Sequence, residues 1–346
     1  MASTKQPRPF LLLLAFLTLS FIMNSATAAE CAGSGDVSVY WGQHSDDATE
    51  GTLEEACDSG IYNILIISTL IVYDNGNKPT LNLANHCGSV NSCSKLEGPI
   101  KHCQDLGIKV FLSIGLDESS TKTRTPKATK DDGDSIVAPS EDVSKNLADY
   151  ILENYLSGNH GPLGNVSLDG IDLGDVADSE HLKWDELVKA INGSTTERKI
   201  YLSASPECVY PDYYLGTAIR TGLFDYIWVE FYYQNPCIYS SGSAEDLIEQ
   251  WKVWTSDVPN SKIFLGLTAT NTIAGYIEPH ALKSDVLPFV KEASNYGGIM
   301  IWDRYHDRNS GYSEQIKDSV QKGCRCVCDE PASANFYGLQ ARPFSF

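Results

Sequence analysis

Positive charge is scarce in this chain: 26 Lys and Arg stand against 45 Asp and Glu, a formal net charge of −19. A surface of that sign repels phosphate backbones and anionic headgroups, which argues against nucleic acid or an anionic membrane as partner. A second long apolar run is also missing. The single one, residues 10–23, follows Lys5 and Arg8 and precedes Ala26-Thr27-Ala28, the layout of a secretory signal over residues 1–28. It is short for a bilayer span and nothing later replaces it, so a soluble chain inside the secretory pathway is expected. A third absence is a glycine-rich phosphate loop after the first strand candidate, which argues against a doubly wound nucleotide-binding sheet.

Cysteine is plentiful. Ten residues, at 31, 57, 87, 93, 103, 208, 237, 324, 326 and 328, favour disulfides over metal ligation in an oxidising compartment. No resident metal and no cofactor are expected. Two acceptor triplets for N-glycosylation, Asn165-Val166-Ser167 and Asn192-Gly193-Ser194, fit the same compartment.

Short β-branched runs at 37–41, 63–70, 109–113, 166–173, 199–205, 226–232, 262–268 and 298–302 alternate with helical stretches. Eight buried strands alternating with helices predict a single-domain (β/α)₈ TIM barrel over residues 29–322. A Cys-containing tail, 323–346, follows. Barrel sites gather at the C-terminal strand ends, which here read YWGQ, SIGL, DGIDLGDV, SASPE, EFYYQ, LTAT and IWDRY. Aromatics, amides and carboxylates at those ends suit a sugar: faces to stack on and edges to hydrogen-bond. The insertion 117–140 is polar and charged on both signs, and a mobile loop at the site face is expected.

The stretches VSVYWGQ (37–43), LNLANHC (81–87), GIKVFLSIG (107–115), LDGID (168–172), the segment 205–237 and YGGIMIWDRYHD (296–307) carry a resemblance. In order and spacing the chain resembles the plant class III chitinases of glycoside hydrolase family 18. The resemblance implies hydrolysis of β-1,4-linked N-acetylglucosamine with the substrate's own acetamido oxygen as nucleophile. It also implies a strand-four pattern D-G-x-D-x-D-x-E whose glutamate protonates the leaving oxygen, and a strand-six tyrosine that holds the acetamido group. Asp169, Gly170, Asp172 and Tyr232 match. A period of two is expected to turn the pattern's carboxylates to one side, toward the barrel centre; the next place on that side is Gly174, and the glutamate's place falls on Val176. If Gly174 is an extra residue absorbed as a bulge, Asp175 is the third acid and Ala177 stands at the glutamate's place. Under either register the acid is missing, and no intact catalytic residue is expected.

What the resemblance leaves is a sugar groove: Tyr40, Gln43, Tyr232 and Trp302, with Glu230 two residues before Tyr232 where relatives carry an amide. Leu116 replaces a glycine after strand three. The resemblance further implies the disulfides Cys57–Cys103, Cys87–Cys93 and Cys208–Cys237. It leaves Cys31, Cys324, Cys326 and Cys328, of which Cys31 is expected to bridge to one of the other three. The expected protein is a monomeric, inactive chitinase-like binder of chito-oligosaccharides, extracellular (apoplastic) or vacuolar. The alternatives are an inhibitor whose partner is a glycosidase such as a xylanase, a weak endochitinase with a displaced acid, or a storage protein.

Overall fold

The computed structural model describes residues 34–44, 49–87, 92–116, 142–179, 181–194, 198–233, 236–240 and 242–321. The signal segment, the insertion 117–140, the tail, and Cys31, Cys324, Cys326 and Cys328 lie outside the described residues. Eight parallel strands form the barrel: β1 (Asp36–Trp41), β2 (Ile64–Val72), β3 (Lys109–Leu116), β4 (Gly170–Leu173), β5 (Tyr201–Ala204), β6 (Tyr226–Glu230), β7 (Lys262–Thr268) and β8 (Tyr296–Trp302). Each pairs with the next, and β8 closes on β1 through Asp36↔Gly298 to Val39↔Ile301. Outside them lie α1 (Leu53–Asp58), α2 (Glu97–Asp105), α3 (Val143–Ile151), α4 (Trp184–Asn192), α5 (Gly216–Ile219), α6 (Glu245–Asp257), a helical run over 279–290, α7 (Arg304–Ser310) and α8 (Tyr312–Gln321).

The period of two divides the apolar side chains between two cores. Val37, Val39 and Trp41 of β1 belong to the core between strands and helices, whereas Tyr40 joins the interior with Ile66, Phe111, Trp228, Phe264 and Met300. The interior is aromatic: Tyr226 and Trp228 stack at 5.4 Å, and Phe264 meets Trp228 edge-on at 4.5 Å. Rings that large fill the barrel and leave space only above them, at the C-terminal strand ends.

Three disulfides brace the elements around this frame: Cys57–Cys103, Cys87–Cys93 and Cys208–Cys237. The first joins α1 to α2. Caps set the helix starts. Thr52 and Glu55 form a reciprocal capping box on α1, and Asp142 caps α3.

One strand differs from expectation. The apolar run from 166 predicts a long β4, but the strand begins at Gly170. Leu168 instead donates its N–H to the Tyr155 carbonyl at 2.9 Å, so the first half of the run packs as a connection.

Candidate functional site: a groove at the C-terminal strand ends

A cavity of about 710 Å³ opens at that end, lined from β1, β2, β3, β6 and β8 and the loops after β4 and β5. Its volume falls in the range of small-molecule sites. The strand-four sequence meets it in an unusual way. β4 stops at Leu173. Gly174 then donates to the Ile114 carbonyl at 3.0 Å, and Val176 donates back to Gly174 at 2.9 Å. This tight turn breaks the strand's alternation, and Gly174, Asp175, Val176 and Ala177 all line the cavity.

Gly174 has no room for a side chain. A Cβ there would lie 2.3 Å from Ser113 Oγ and 3.3 Å from Asp172 Oδ2. The space an inward acid at this position would take is filled by the Ser113 hydroxyl, which donates to Asp172 Oδ2 at 2.8 Å. Leu116 meets the same turn: its N–H reaches the Asp175 carbonyl at 2.8 Å, and its buried side chain lines the cavity. Beyond the turn the loop is pinned. The Trp184 indole donates to the Ala177 carbonyl at 3.1 Å, and Asp74 accepts from the His181 N–H at 2.9 Å.

Asp172 is fully buried under four donors. Tyr40 hydroxyl and Ser113 reach Oδ2 at 2.7 and 2.8 Å; Ser203 and the Trp228 indole reach Oδ1 at 2.7 and 2.9 Å. Burial raises its pKa despite those donors. With its lone pairs engaged, Asp172 acts as a hub joining β1, β3, β5 and β6.

Asp169 does not enter the groove. Its carboxylate accepts from the Val110 N–H and the Gln104 amide, both at 2.9 Å, and pairs with Arg198 at 2.7 Å. It precedes β4, so the expectation that all the strand-four acids share one inward side is corrected for Asp169.

Glu230, at the end of β6, lines the cavity. Burial drives its pKa from 4.5 up to about 8, with the carboxylates of Asp175, Asp172 and Glu207 adding and a hydrogen bond with Tyr232 opposing. At neutral pH it is therefore mainly a neutral carboxylic acid, able to donate as well as accept. In that form it offers the mixed polarity of the amide that the family resemblance leads one to expect there.

Tyr40, Tyr232 and Trp302 all line the cavity, with the Tyr40 and Trp302 rings 5.2 Å apart at 58°. The Tyr40 hydroxyl also shares a hydrogen bond with Ser205 at 2.9 Å. Gln43 lines the cavity with its amide donating to the Ser68 carbonyl at 2.6 Å. Tyr233 is an addition that periodicity misses. Alternation should turn it away from Tyr232, but the strand has ended and its φ is 62°, so both rings line the cavity 4.9 Å apart. A hydrogen bond links the Tyr233 hydroxyl to the Trp302 indole, and burial lifts its pKa to about 12. Tyr214 and Asp212, after β5, complete the rim. Asp212 is buried, accepting from the N–H groups of Glu207, Tyr214 and Leu215 at 2.9, 2.8 and 2.6 Å.

No protein-family model matches the chain. Comparison with individual proteins is decisive. The chain is 38% identical over 329 residues to an acidic endochitinase of Vitis vinifera, covering 92% of this chain and all of that one. Among solved structures it is similar to a tamarind chitinase-like lectin, at 49% identity and a TM-score of 0.73 over 82% of this chain and 99% of that one. It is also similar to a xylanase–α-amylase inhibitor protein solved with trehalose, at 37% identity and a TM-score of 0.67 over 84% and 99%. With the barrel and the strand-four remnant in place, the chain belongs to the plant class III chitinase-like proteins of glycoside hydrolase family 18, on the branch that also holds those lectin and inhibitor proteins.

Proposed function

We propose that this protein binds oligosaccharides of the N-acetylglucosamine type in the groove and does not cleave them. The observation that carries the reading is the turn at Gly174–Val176. Where the family's proton donor is expected the chain has the buried Val176 or Ala177, and the third acid's place is Gly174, with no space for a side chain, or Asp175. Loss of a general acid typically costs about 10²–10⁴-fold in rate. Stacking on Trp302, Tyr40 and Tyr233 does not need that acid, so binding survives its loss.

Asp175, Glu207, Asp212 and Glu230 are carboxyl groups on the groove wall. Glu230 suits recognition: it is neutral near pH 7 and sits beside Tyr232, in the place of an amide. Among the described residues no helix is long and apolar enough to cross a membrane. The N-terminal apolar segment and the likeness to acidic endochitinases support an extracellular or vacuolar location and partners met there, chito-oligosaccharides foremost. The likeness to the xylanase–α-amylase inhibitor protein favours a second reading, inhibition of a glycosidase through the loops around the same groove.

The test is retention on a chitin matrix, eluted with N-acetylglucosamine tetramer, alongside inhibition assays against a xylanase and an α-amylase. Retention and specific elution without inhibition support sugar binding. Inhibition without retention moves the function to the second reading.

A further inference from the structure

We propose that His44, Asp303 and His306 form a binding site for a divalent transition metal of the zinc type. His44 follows β1, Asp303 follows Trp302 at the end of β8, and His306 lies in the first turn of α7. The fold brings them together: His44 Nε2 lies 2.8 Å from Asp303 Oδ2, and His306 Nδ1 lies 2.8 Å from Asp303 Oδ1. One ligand atom from each residue falls within 4.8 Å of the other two. Zinc held by nitrogen and oxygen at about 2.0–2.1 Å spaces its ligands about 3.3 Å apart in a tetrahedron. The three ligand atoms already lie within a span that a tetrahedral ion reaches after small side-chain rotations.

The second observation is at the carboxylate. Asp303 is 1% exposed, and its two oxygens are used differently. Oδ1 caps α7, accepting the His306 N–H at 3.1 Å. Oδ2 is buried and accepts no hydrogen bond, although His44 Nε2 is close. A buried carboxylate oxygen with an imidazole nitrogen beside it, and a second imidazole on the partner oxygen of the same carboxylate, is what a cation would satisfy.

The histidines are held for the task. The His44 N–H is tied to Glu50 at 3.2 Å, and Glu50 is itself fixed by the buried His86 at 2.8 Å. The His44 ring stacks on Tyr305, 4.3 Å away and 21° from parallel. The side chains of His44 and His306 are 34% and 23% exposed, which gives an ion an entry path and leaves a coordination position for water. Two imidazoles with one carboxylate select a borderline cation over Ca²⁺ or Mg²⁺, which prefer all-oxygen sets.

The test is calorimetric titration of the chelator-treated full chain with ZnCl₂, repeated for His44→Ala and His306→Ala, both solvent-facing changes. His102→Ala, in the exposed Glu54–Asp58–His102 cluster, is the control. The wild type and the control should bind one equivalent that both site variants lose or hold at least about 10²-fold more weakly. CaCl₂ and MgCl₂ should give no saturable heat. Co²⁺ at that equivalent should show visible d–d bands without a thiolate charge-transfer band, separating the site from the cysteine-rich tail. Equal zinc stoichiometry in wild type and both site variants, no zinc binding by the wild type, or a thiolate band at the lost equivalent would overturn the proposal.

Discussion

At the scale of the residue, Glu230 and Trp302 are the informative positions. The native Glu230 holds its proton up to about pH 8, whereas an unperturbed glutamate releases it near 4.5. Between those values the native state binds more protons than the unfolded chain, so stability contributed by the neutral carboxyl falls as pH rises through that window. Glu230→Gln should flatten this slope. We expect the variant to match the wild type near pH 4 and to exceed it by about 1–3 kcal/mol at pH 9, as read from denaturant unfolding. Its affinity for an N-acetylglucosamine oligomer should change little at pH 6, since the amide keeps a donor and an acceptor. Trp302→Ala removes the largest apolar face of the groove. Burial of such a side chain against a sugar is worth about 1.5–3 kcal/mol, so affinity should fall about 10–100-fold in a fluorescence titration. Trp302 and Tyr232 were legible in the sequence because each sits at a recognisable strand end. Tyr233 and the His44–Asp303–His306 cluster were not. The first depends on a positive φ just past a strand. The second joins residues 259 positions apart, across the closure of the barrel, and no local pattern marks it.

At the scale of the element, β4 holds the question the sequence posed. Two registers were open for LDGIDLGDV, differing in whether Gly174 is an inserted residue. The strand stops before Gly174, the chain turns, and Val176 and Ala177 both reach the groove wall. Alternation therefore fails as a guide at the one place where it was most needed, because a tight turn has no period of two. The clash at Gly174 can be tested. Gly174→Ala should cost about 1–3 kcal/mol by overpacking against Ser113. In a Ser113→Ala background, which removes the hydroxyl it meets, the same change should cost measurably less in a double-mutant cycle. Additive costs would mean that the two positions do not compete for the space. The other strands were read closely because their β-branched runs are bounded by helices; 262–268 is the same range in sequence and structure.

At the scale of the whole molecule, the barrel is sustained by a mainly aliphatic outer core, an aromatic interior and disulfide bridges among its helices and loops. Cys57–Cys103 spans 46 residues between the first two helices, and a loop of that length is constrained by about 3–4 kcal/mol in the unfolded chain. Replacing both by Ala should lower Tm by about 5–10 °C in a thermal melt while leaving groove binding intact. The three pairings were implied by family resemblance and stand in the structure. Cys31, Cys324, Cys326 and Cys328 fall outside the described residues. Sugar binding without cleavage in the groove is tested most directly by calorimetric titration of the protein with N-acetylglucosamine tetramer, followed by product analysis of the cell contents. Saturable heat with the tetramer recovered intact is the predicted result. Release of dimer or trimer at a rate approaching that of an active class III chitinase would contradict it.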